Sequence, residues 1–246
     1  MNHIALVTGA AQGLGYTLCA RLLQAGYKVV VTDRSLEAAT MAAAQLDSTG
    51  ENTVAIKLDV GIKTDFEAAL AQVLEQWGAL HVLVNNAAVT MTTPLMQISP
   101  EEFDAVVSLN LRSVFVGCQV VGAHMAGAGY GRIINMASLA GQNGGTATGA
   151  HYAASKGGIV TLTKIFAKEF AAQGVTVNAI APGPIESSAV RAAVPAERME
   201  SLIGNIPVKR LGDAGFLGDL IVQLARPEAY FTTGATWDVN GGLFMR

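Results

Sequence analysis

A glycine-rich turn near the beginning of the chain, residues 8–15, restricts most strongly the folds that this sequence can adopt. It follows a short apolar stretch, residues 4–7, and opens a helical pattern that runs to residue 25. Glycines let the backbone approach a bound phosphate closely, and the unpaired N–H groups at a helix N-terminus attract anions. The spacing is GxxxGxG and not GxGxxG. An ordinary tight turn is the alternative, but a strand before the turn and a helix after it favour a site for a dinucleotide pyrophosphate.

Apolar stretches of strand length alternate with helical patterns along the whole chain. The predicted strands span residues 4–8, 28–32, 53–58, 81–84, 132–136, 176–180 and 236–239. The predicted helices lie around residues 14–25, 36–47, 64–77, 101–127, 152–172, 187–203 and 214–225. Continuous Val- and Ile-rich strands separated by helices indicate a parallel sheet covered on both faces. The sequence therefore predicts an α/β fold, a single-domain Rossmann-type doubly wound parallel sheet of about seven strands, with no domain boundary in residues 1–246.

The composition argues against several classes of protein. Of the 246 residues, 51% are apolar and only 14% are charged, which suits a large core. A net charge of −3 gives no reason to expect a nucleic-acid partner. No apolar run reaches about 18 residues, so no membrane span is predicted. Because the first strand begins almost at once, no signal peptide is expected, and a cytoplasmic protein is predicted.

The cysteines and histidines suggest neither a disulfide nor a metal site. Cys19 and Cys118 lie in helical patterns among apolar neighbours, so they are expected to be buried hydrophobes rather than nucleophiles. The four histidines are scattered at spacings that do not suit a metal site. We therefore predict no catalytic metal.

Tyr152 and Lys156 are four positions apart in a helical pattern, which places both side chains on one face. A free tyrosine has a pKa of about 10. A neighbouring ammonium would lower this pKa, whereas burial alone would raise it. The pair is therefore a candidate general acid/base, although the same spacing is also common in surface pairs.

Several motifs, in the same order along the chain, resemble the short-chain dehydrogenase/reductase family over essentially the whole sequence. They are the glycine turn, Asn85-Asn86-Ala87-Ala88 with Ala88 in place of a glycine, Asn110, Ser138, Tyr152 with Lys156, and Pro182-Gly183. The resemblance implies an enzyme that transfers a hydride between a nicotinamide and an alcohol or ketone. It also implies a catalytic set of Asn110, Ser138, Tyr152 and Lys156.

The resemblance gives each member of this set a role. Tyr152 would exchange a proton with the substrate oxygen, and Ser138 would stabilise the charge that develops there. Lys156 would lower the pKa of Tyr152 and hold the nicotinamide ribose. Asn110 would anchor a water that links Lys156 to solvent. A dinucleotide-binding fold can also be a sensor without turnover, but the complete set favours an enzyme.

The same resemblance predicts which residues contact the cofactor. They are Gly9, Gln12, Gly13, Leu14, Gly15, Asp33, Asp59, Val60, Asn86, Ala87, Tyr152, Lys156, Pro182, Gly183, Ile185 and Ser187. Asp33, 24 positions after Gly9, can hydrogen-bond the ribose hydroxyls of NAD and would repel the 2′-phosphate of NADP. Arg34 would favour NADP, but Gln12 stands where many NADP-using relatives carry a basic residue. NAD is therefore the favoured cofactor and NADP the alternative. If Asp33 does not bind the cofactor, its alternative role is a negative charge at the N-terminus of the following helix.

The substrate is the least constrained part of the prediction. Residues 140–150 are expected to form a loop over the site and residues 186–210 a mostly apolar lid. Gln142, Asn143 and His151 are candidate substrate contacts, with a surface position of His151 as the alternative. Between Ser138 and Tyr152 the chain has one residue more than many relatives, which would reshape the substrate pocket.

Overall the chain looks closest to the 3-oxoacyl-carrier-protein reductase branch of the family. In that branch a basic rim docks the acidic carrier protein, but residues 125–131 contain no Lys or Arg here, and Gln173 is neutral. A secondary alcohol or ketone is therefore favoured over NADPH-dependent reduction of a 3-oxoacyl thioester. The resemblance also implies a homotetramer, with contacts in residues 114–121 and 241–245.

Overall fold

Seven strands form one parallel sheet in the computed structural model, which describes residues 3–145, 148–187, 190 and 196–246. The strands are β1 Ile4–Val7, β2 Lys28–Asp33, β3 Thr53–Lys57, β4 Val82–Asn85, β5 Gly131–Met136, β6 Val175–Pro182 and β7 Thr236–Val239. Their order across the sheet is β3-β2-β1-β4-β5-β6-β7, and every neighbouring pair is parallel. The predicted doubly wound parallel sheet is confirmed.

Helices cover both faces of this sheet. They are α1 Gly13–Gln24, α2 Leu36–Leu46, α3 Lys63–Trp77, α4 Pro100–Val107, α5 Ser113–Ala128, α6 Ala140–Asn143, α7 Ala150–Phe170, α8 Ala196–Asn205 and α9 Ala214–Ala225. Successive side chains of a strand point to opposite faces, so Leu6 packs with α3, α5 and α7, whereas Val7 packs with α1, α2 and α9. Cys19 and Cys118 are buried and free, one in each core, as predicted.

The long helix predicted at residues 101–127 is interrupted. Between α4 and α5 the five residues Ser108–Arg112 form one π-helical turn. Such turns are rare and frequently lie at functional sites, and this one places Asn110 in the core with no exposed surface. By length and composition alone Pro100–Ala128 would pass as a membrane span, although 44% of its most apolar part is buried inside the protein, where Val114, Cys118 and Val121 lie in the core.

Two predicted segments near the sheet edge differ from expectation. The predicted loop at residues 140–150 begins with the short helix α6, which packs directly on α7. A Cβ on Gly141 would lie 2.5 Å from the backbone N of Gly157, so only glycine allows this approach. Of the predicted helix at 187–203 the structure describes α8, and residues 188–189 and 191–195 lie outside the described part of the chain.

The order of the strands determines where a ligand can bind. The chain builds β1, β2 and β3 toward one edge of the sheet and then returns to place β4 on the other side of β1. In open parallel sheets ligands bind at this switch point, outside the carboxyl ends of the strands. The glycine turn and the residues that follow β2, β4, β5 and β6 all meet at this edge.

Candidate active site

The glycine turn after β1 has the shape of an anion-binding loop. Gly9 and Gly13 have φ angles of 61° and 57°, in the left-handed region that favours glycine. A Cβ on Gly15 would lie 2.7 Å from Nδ2 of Asn86, so a side chain there would push α1 away from the turn. Among the described residues no side chain caps α1 at Gln12, and nothing lies within 4 Å of a Cβ built on Gly13. The first-turn N–H groups are therefore left for a bound anion.

Thr8 and Asn86 join the glycine turn to the segment after β4. The Thr8 hydroxyl accepts hydrogen bonds from the backbone N–H groups of Asn86 at 2.9 Å and Ala87 at 3.0 Å. The side-chain amide of Asn86 donates to the carbonyls of Thr8 at 2.9 Å and Gly9 at 3.2 Å. Ala87 lies directly against Gly9, where a Cβ would come within 2.9 Å of its Cα. These contacts of Asn86 and Ala87 therefore fix the backbone conformation of the glycine turn.

Two acidic residues lie at the carboxyl end of β2 and just after that of β3. Asp33 is half-buried, and its Oδ1 accepts the N–H of Ser35 at 3.1 Å. Oδ1 of Asp59 accepts the N–H of Gly61 at 2.9 Å. Val60, a predicted cofactor contact, is buried and packs in the core beside α3 and α5. Asp33 therefore lies at the carboxyl edge of the sheet, and its contact with a ribose of the dinucleotide stays a prediction.

Ser138 and the Pro182-Gly183 turn come together after β5 and β6. The N–H of Leu139 donates to the Pro182 carbonyl at 2.9 Å. A Cβ on Gly183 would lie 2.9 Å from Cα of Asn240, so this turn needs glycine to pack against the end of β7. Oγ of Ser138 accepts the N–H of Ala140 at 3.2 Å, and the Ser138 hydroxyl is near enough to the Tyr152 phenol to act on its pKa. Ser138 is thus oriented toward the first turn of α7.

Tyr152 lies in this first turn of α7, with its phenol close to two hydroxyls. Burial raises the pKa of Tyr152, while hydrogen bonds with Ser138 and Thr90 act in the opposite direction. The expectation of a lowered pKa is wrong for the protein alone, because desolvation of the phenolate outweighs the other effects. Thr90 was not predicted, and its only signal in the sequence is its place two positions after the Asn85–Ala88 motif. Like an unperturbed tyrosine, the phenol is therefore protonated at neutral pH and has a proton to donate, although the raised pKa makes it a weaker acid.

Lys156 is buried next to Tyr152. Its side chain is 3% exposed, and Nζ donates to the Met136 carbonyl at 2.6 Å. Nζ also lies 5.6 Å from the centroid of the Tyr152 ring. Burial lowers the pKa of Lys156 to about 8, so the side chain remains mostly charged at neutral pH. A positive charge so close to Tyr152 stabilises the phenolate that forms when the phenol gives up its proton.

Asn110 connects α7 to the segment after β4. Its Oδ1 accepts the N–H of Val89 at 2.8 Å, and its Nδ2 donates to the Val89 carbonyl at 2.9 Å and to Oγ of Ser155 at 3.3 Å. The Ser155 hydroxyl in turn donates to the Tyr152 carbonyl at 2.7 Å. Asn110 therefore fixes the backbone around Tyr152, and the water expected beside it stays a prediction.

The three candidate substrate contacts have different surroundings. His151 has no exposed surface and both ring nitrogens are hydrogen-bonded, so the surface alternative is wrong and the imidazole has no free nitrogen for a substrate. Nε2 of Gln142 donates to Asp238 at 2.5 Å, and Oδ1 of Asn143 accepts the N–H of Gly145 at 2.9 Å. Oε1 of Gln142 is buried without a partner among the described residues. Gln142 and Asn143 thus stay candidates, and His151 does not.

The chain after β6 leads toward the expected lid. Ile185 pairs with Gly212 as an isolated parallel bridge, and Oγ of Ser187 accepts the N–H of Val190 at 3.1 Å. Helix α8 follows, and Met199 on this helix is buried. Among the described residues of 186–210, Met199 and Ile206 are buried whereas Val208 is exposed, and the apolar lid over the substrate stays a prediction.

The cradle formed by these residues fits a dinucleotide. The uncapped start of α1 and the open side of Gly13 provide N–H groups for a pyrophosphate. Asp33 supplies an acceptor for a ribose hydroxyl. Lys156, Tyr152 and Ser138 lie at the other end of the same edge, where a nicotinamide ring would meet a substrate. The arrangement suits a reaction that needs both a dinucleotide and a proton donor.

Comparisons with known proteins agree with this geometry. Residues 3–198 match the protein-family model described as short chain dehydrogenase. The chain is 36% identical over 246 residues to the 3-oxoacyl-[acyl-carrier-protein] reductase FabG of Staphylococcus epidermidis, covering 100% of both chains. It is 38% identical over 244 residues to the reductase of the same name from Vibrio cholerae, covering 99% of this chain and 98% of that one. The Staphylococcus aureus reductase of this name is 37% identical over 246 residues.

Proposed function

Because the chain belongs to the short-chain dehydrogenase family and is therefore an oxidoreductase that uses a nicotinamide cofactor, we propose that it reduces the 3-oxo group of an acyl thioester to a 3-hydroxy group. The observation that carries this proposal is the arrangement at the start of α7, where the half-buried Tyr152 lies beside the buried ammonium of Lys156, whose Nζ is 5.6 Å from the centroid of the Tyr152 ring. The substrate class follows the printed names of relatives that are 36% to 38% identical over nearly the whole chain. It replaces the secondary alcohol as the favoured substrate.

Each member of the site then has a defined part in the reduction. When bound, a nicotinamide cofactor supplies a hydride to the carbonyl carbon. Tyr152 donates its proton to the carbonyl oxygen, which becomes the hydroxyl of the product. The Ser138 hydroxyl hydrogen-bonds that oxygen as negative charge develops on it. The buried ammonium of Lys156 stabilises the resulting Tyr152 phenolate until the phenol is protonated again.

Oxidation of a secondary alcohol with NAD is the second candidate. Asp33 at the end of β2 favours NAD, because its carboxylate would repel the 2′-phosphate of NADP. Residues 125–131 carry no basic side chain, and Gln173 is exposed and neutral, so this surface offers little attraction for an acidic carrier protein. Both features fit a small substrate better than a thioester carried on a protein.

Initial rates separate the two candidates. We expect kcat/KM for 3-oxoacyl thioesters with reduced cofactor to exceed that for simple secondary ketones by at least about tenfold, a difference of about 1.4 kcal/mol in transition-state binding. The same acyl group is tested on N-acetylcysteamine, coenzyme A and acyl carrier protein. Because the predicted docking surface has no basic residue, the carrier protein should give an advantage of only a few fold, with little dependence on salt. Faster turnover of secondary alcohols or their ketones would support the second candidate instead.

We further propose that NAD(H) is preferred to NADP(H) and that Asp33 sets this preference. Replacing Asp33 by Ser removes the charge but keeps a short polar side chain. We expect the ratio of kcat/KM for NADPH to that for NADH to rise by about 100-fold, since juxtaposed like charges cost several kcal/mol. Glu51→Gln removes an exposed carboxylate before the amino end of β3 and should leave the ratio unchanged. A native enzyme that prefers NADPH would contradict the proposal.

Three other expectations stay proposals. We place the reaction in the cytoplasm, and we assign residues 186–210 as a cover over the substrate. We also propose a homotetramer. Within its two predicted contact stretches, Phe115 is 40% exposed and Met245 is 76% exposed, so both apolar side chains are available for contacts between subunits.

A further inference from the structure

Side-chain hydrogen bonds fix both the backbone carbonyl and the backbone N–H of Tyr152. Its carbonyl accepts the hydroxyl of Ser155, as described above. Its N–H donates to Nδ1 of His151 at 2.9 Å. The first N–H groups of a helix have no partner within the helix, and Gly149 at the N-cap of α7 has no side chain to offer. His151 therefore acts as a capping residue for the N–H of Tyr152.

His151 is itself fixed by Glu102. Its Nε2 lies 2.8 Å from Oε1 of Glu102, which belongs to the first turn of α4. Because Nδ1 accepts a hydrogen bond, the proton of the neutral ring is on Nε2 and is donated to the carboxylate. The imidazole has no exposed surface, and the Glu102 side chain is 24% exposed. Hydrogen bonds from Thr93 and then from His151 lower the pKa of Glu102, which keeps the acceptor ionised.

The surroundings are shaped to hold this imidazole. A Cβ on Gly149 would lie 2.7 Å from Nδ1 of His151 and 3.2 Å from the Met91 carbonyl, so glycine is needed at this position. The N–H of Gly149 donates to the same carbonyl at 2.8 Å. Helix α4 is fixed in turn by Ser99, whose Oγ accepts the N–H of Glu102 at 3.1 Å. Helix α4, the segment after β4 and helix α7 therefore meet at His151.

We propose that His151 and Glu102 are positioning residues that set the location of the Tyr152 phenol relative to the substrate. The proposal rests on the function proposed above, in which Tyr152 donates the proton. The pair acts through the backbone N–H of Tyr152 and is not placed in contact with the reacting atoms. A displacement of about 1 Å in a catalytic group can reduce a rate by about 10²-fold. Loss of the pair should therefore lower kcat while nucleotide binding is unchanged.

Substitutions at residue 151 separate the two hydrogen bonds. His151→Leu removes both, and we expect kcat to fall by about 10- to 100-fold with an unchanged Kd for the nucleotide. In His151→Asn the amide oxygen lies near the position of Nδ1 and can still accept the Tyr152 N–H, so most of kcat should return. In His151→Gln the amide nitrogen lies near Nε2 and preserves only the link to Glu102, so kcat should stay low. Thr163→Val, which removes a buried hydrogen bond from Asn135 farther along α7, is the matched control and should lower stability without changing kcat.

Hydrogen exchange provides a measurement that does not depend on turnover. In His151→Leu the amides of residues 150–153 should exchange faster than in the native protein, whereas Thr163→Val should leave them unchanged. Equal kcat in the Asn and Gln variants, or unchanged exchange in the Leu variant, would overturn the proposal, and the Asn–Gln comparison remains decisive if His151→Leu does not fold. A native protein that turns over no substrate would refute the proposed function, while the exchange measurement would still test the positioning.

Discussion

Replacing Tyr152 by Phe should lower kcat by about 10³-fold while the Kd for the nucleotide changes little. The substitution removes only the phenolic hydroxyl, which is the group that exchanges the proton with the substrate oxygen. Positioned general acid catalysis contributes about 10² to 10⁴ to a rate. The ring remains in place on α7, and the glycine turn that would hold the pyrophosphate is untouched. Initial rates with the best thioester substrate and a fluorescence titration with reduced cofactor measure the two effects separately.

The pH dependence of the reduction and oxidation rates provides a second test of the role of Tyr152. Since burial raises the pKa of Tyr152, the phenol is present across the neutral range, and the rate of reduction should vary little with pH there. Oxidation needs the phenolate, so its rate should rise with pH toward the alkaline range. Tyr230→Phe removes the hydroxyl of a tyrosine that is 71% exposed and serves as the control. If Tyr152→Phe kept a kcat within about fivefold of the native value, the assigned role of Tyr152 would be refuted.

The fold was largely predictable because local and tertiary preferences agree. Continuous Val- and Ile-rich strands such as β2 are buried on both faces, and the glycine turn could be identified from the strand before it and the helix after it. The π-helical turn around Asn110 could not be predicted, because its residues also suit an α-helix. What distinguishes it is a tertiary contact, the two hydrogen bonds between Asn110 and the backbone of Val89.

In the candidate site too, features that depend on local spacing could be predicted, whereas features that depend on tertiary contacts could not. The spacing of Tyr152 and Lys156 predicts that they share a face, and in the structure the two side chains lie beside each other, with Lys156 buried and Tyr152 half-buried. Spacing does not reveal how deeply a side chain is buried, and so the direction of the Tyr152 pKa was wrong. His151 was misplaced for a related reason, since its partner Glu102 is 49 positions away in sequence. Thr90 was missed because a single hydroxyl in a segment without regular structure carries no pattern.

The segment after β4 explains why these tertiary contacts occur together. Thr8 binds its beginning, Asn110 binds Val89, and Gly149 binds the Met91 carbonyl. Thr90 reaches the Tyr152 phenol from the same segment. One short stretch of chain therefore joins the glycine turn to the helix that carries Tyr152. Thr8 and Asn110, which hold this segment between the glycine turn and α7, should therefore affect both nucleotide binding and the position of the proton donor.

Replacing Lys156 by Met should abolish most activity and yet stabilise the protein at neutral pH. Loss of the ammonium leaves the Tyr152 phenolate without its neighbouring charge, so kcat should fall by about 10² to 10⁴. In the native protein burial lowers the pKa of Lys156 from 10.5 to about 8, which corresponds to a penalty of roughly 3 kcal/mol for the charged form. Methionine fills a similar volume without a charge, but it leaves the Met136 carbonyl without its donor, at a cost of about 1–3 kcal/mol. A net gain of about 1 kcal/mol is therefore expected at pH 7.

The advantage of the Lys156→Met variant should disappear as the pH rises. Between pH 8 and pH 10.5 the unfolded native chain binds more protons than the folded one, because the folded-state pKa of Lys156 is the lower of the two. The stability of the native protein therefore rises with pH relative to the variant, by up to roughly 3 kcal/mol over this window. Urea unfolding of both proteins from pH 7 to pH 10 measures this difference. Because the two proteins share all other titrating groups, the contributions of those groups cancel. Lys164→Met, at an exposed position of the same helix, should show neither effect. A difference in stability that does not vary with pH would mean that the pKa of Lys156 is the same in the folded and the unfolded chain, so that burial does not lower it.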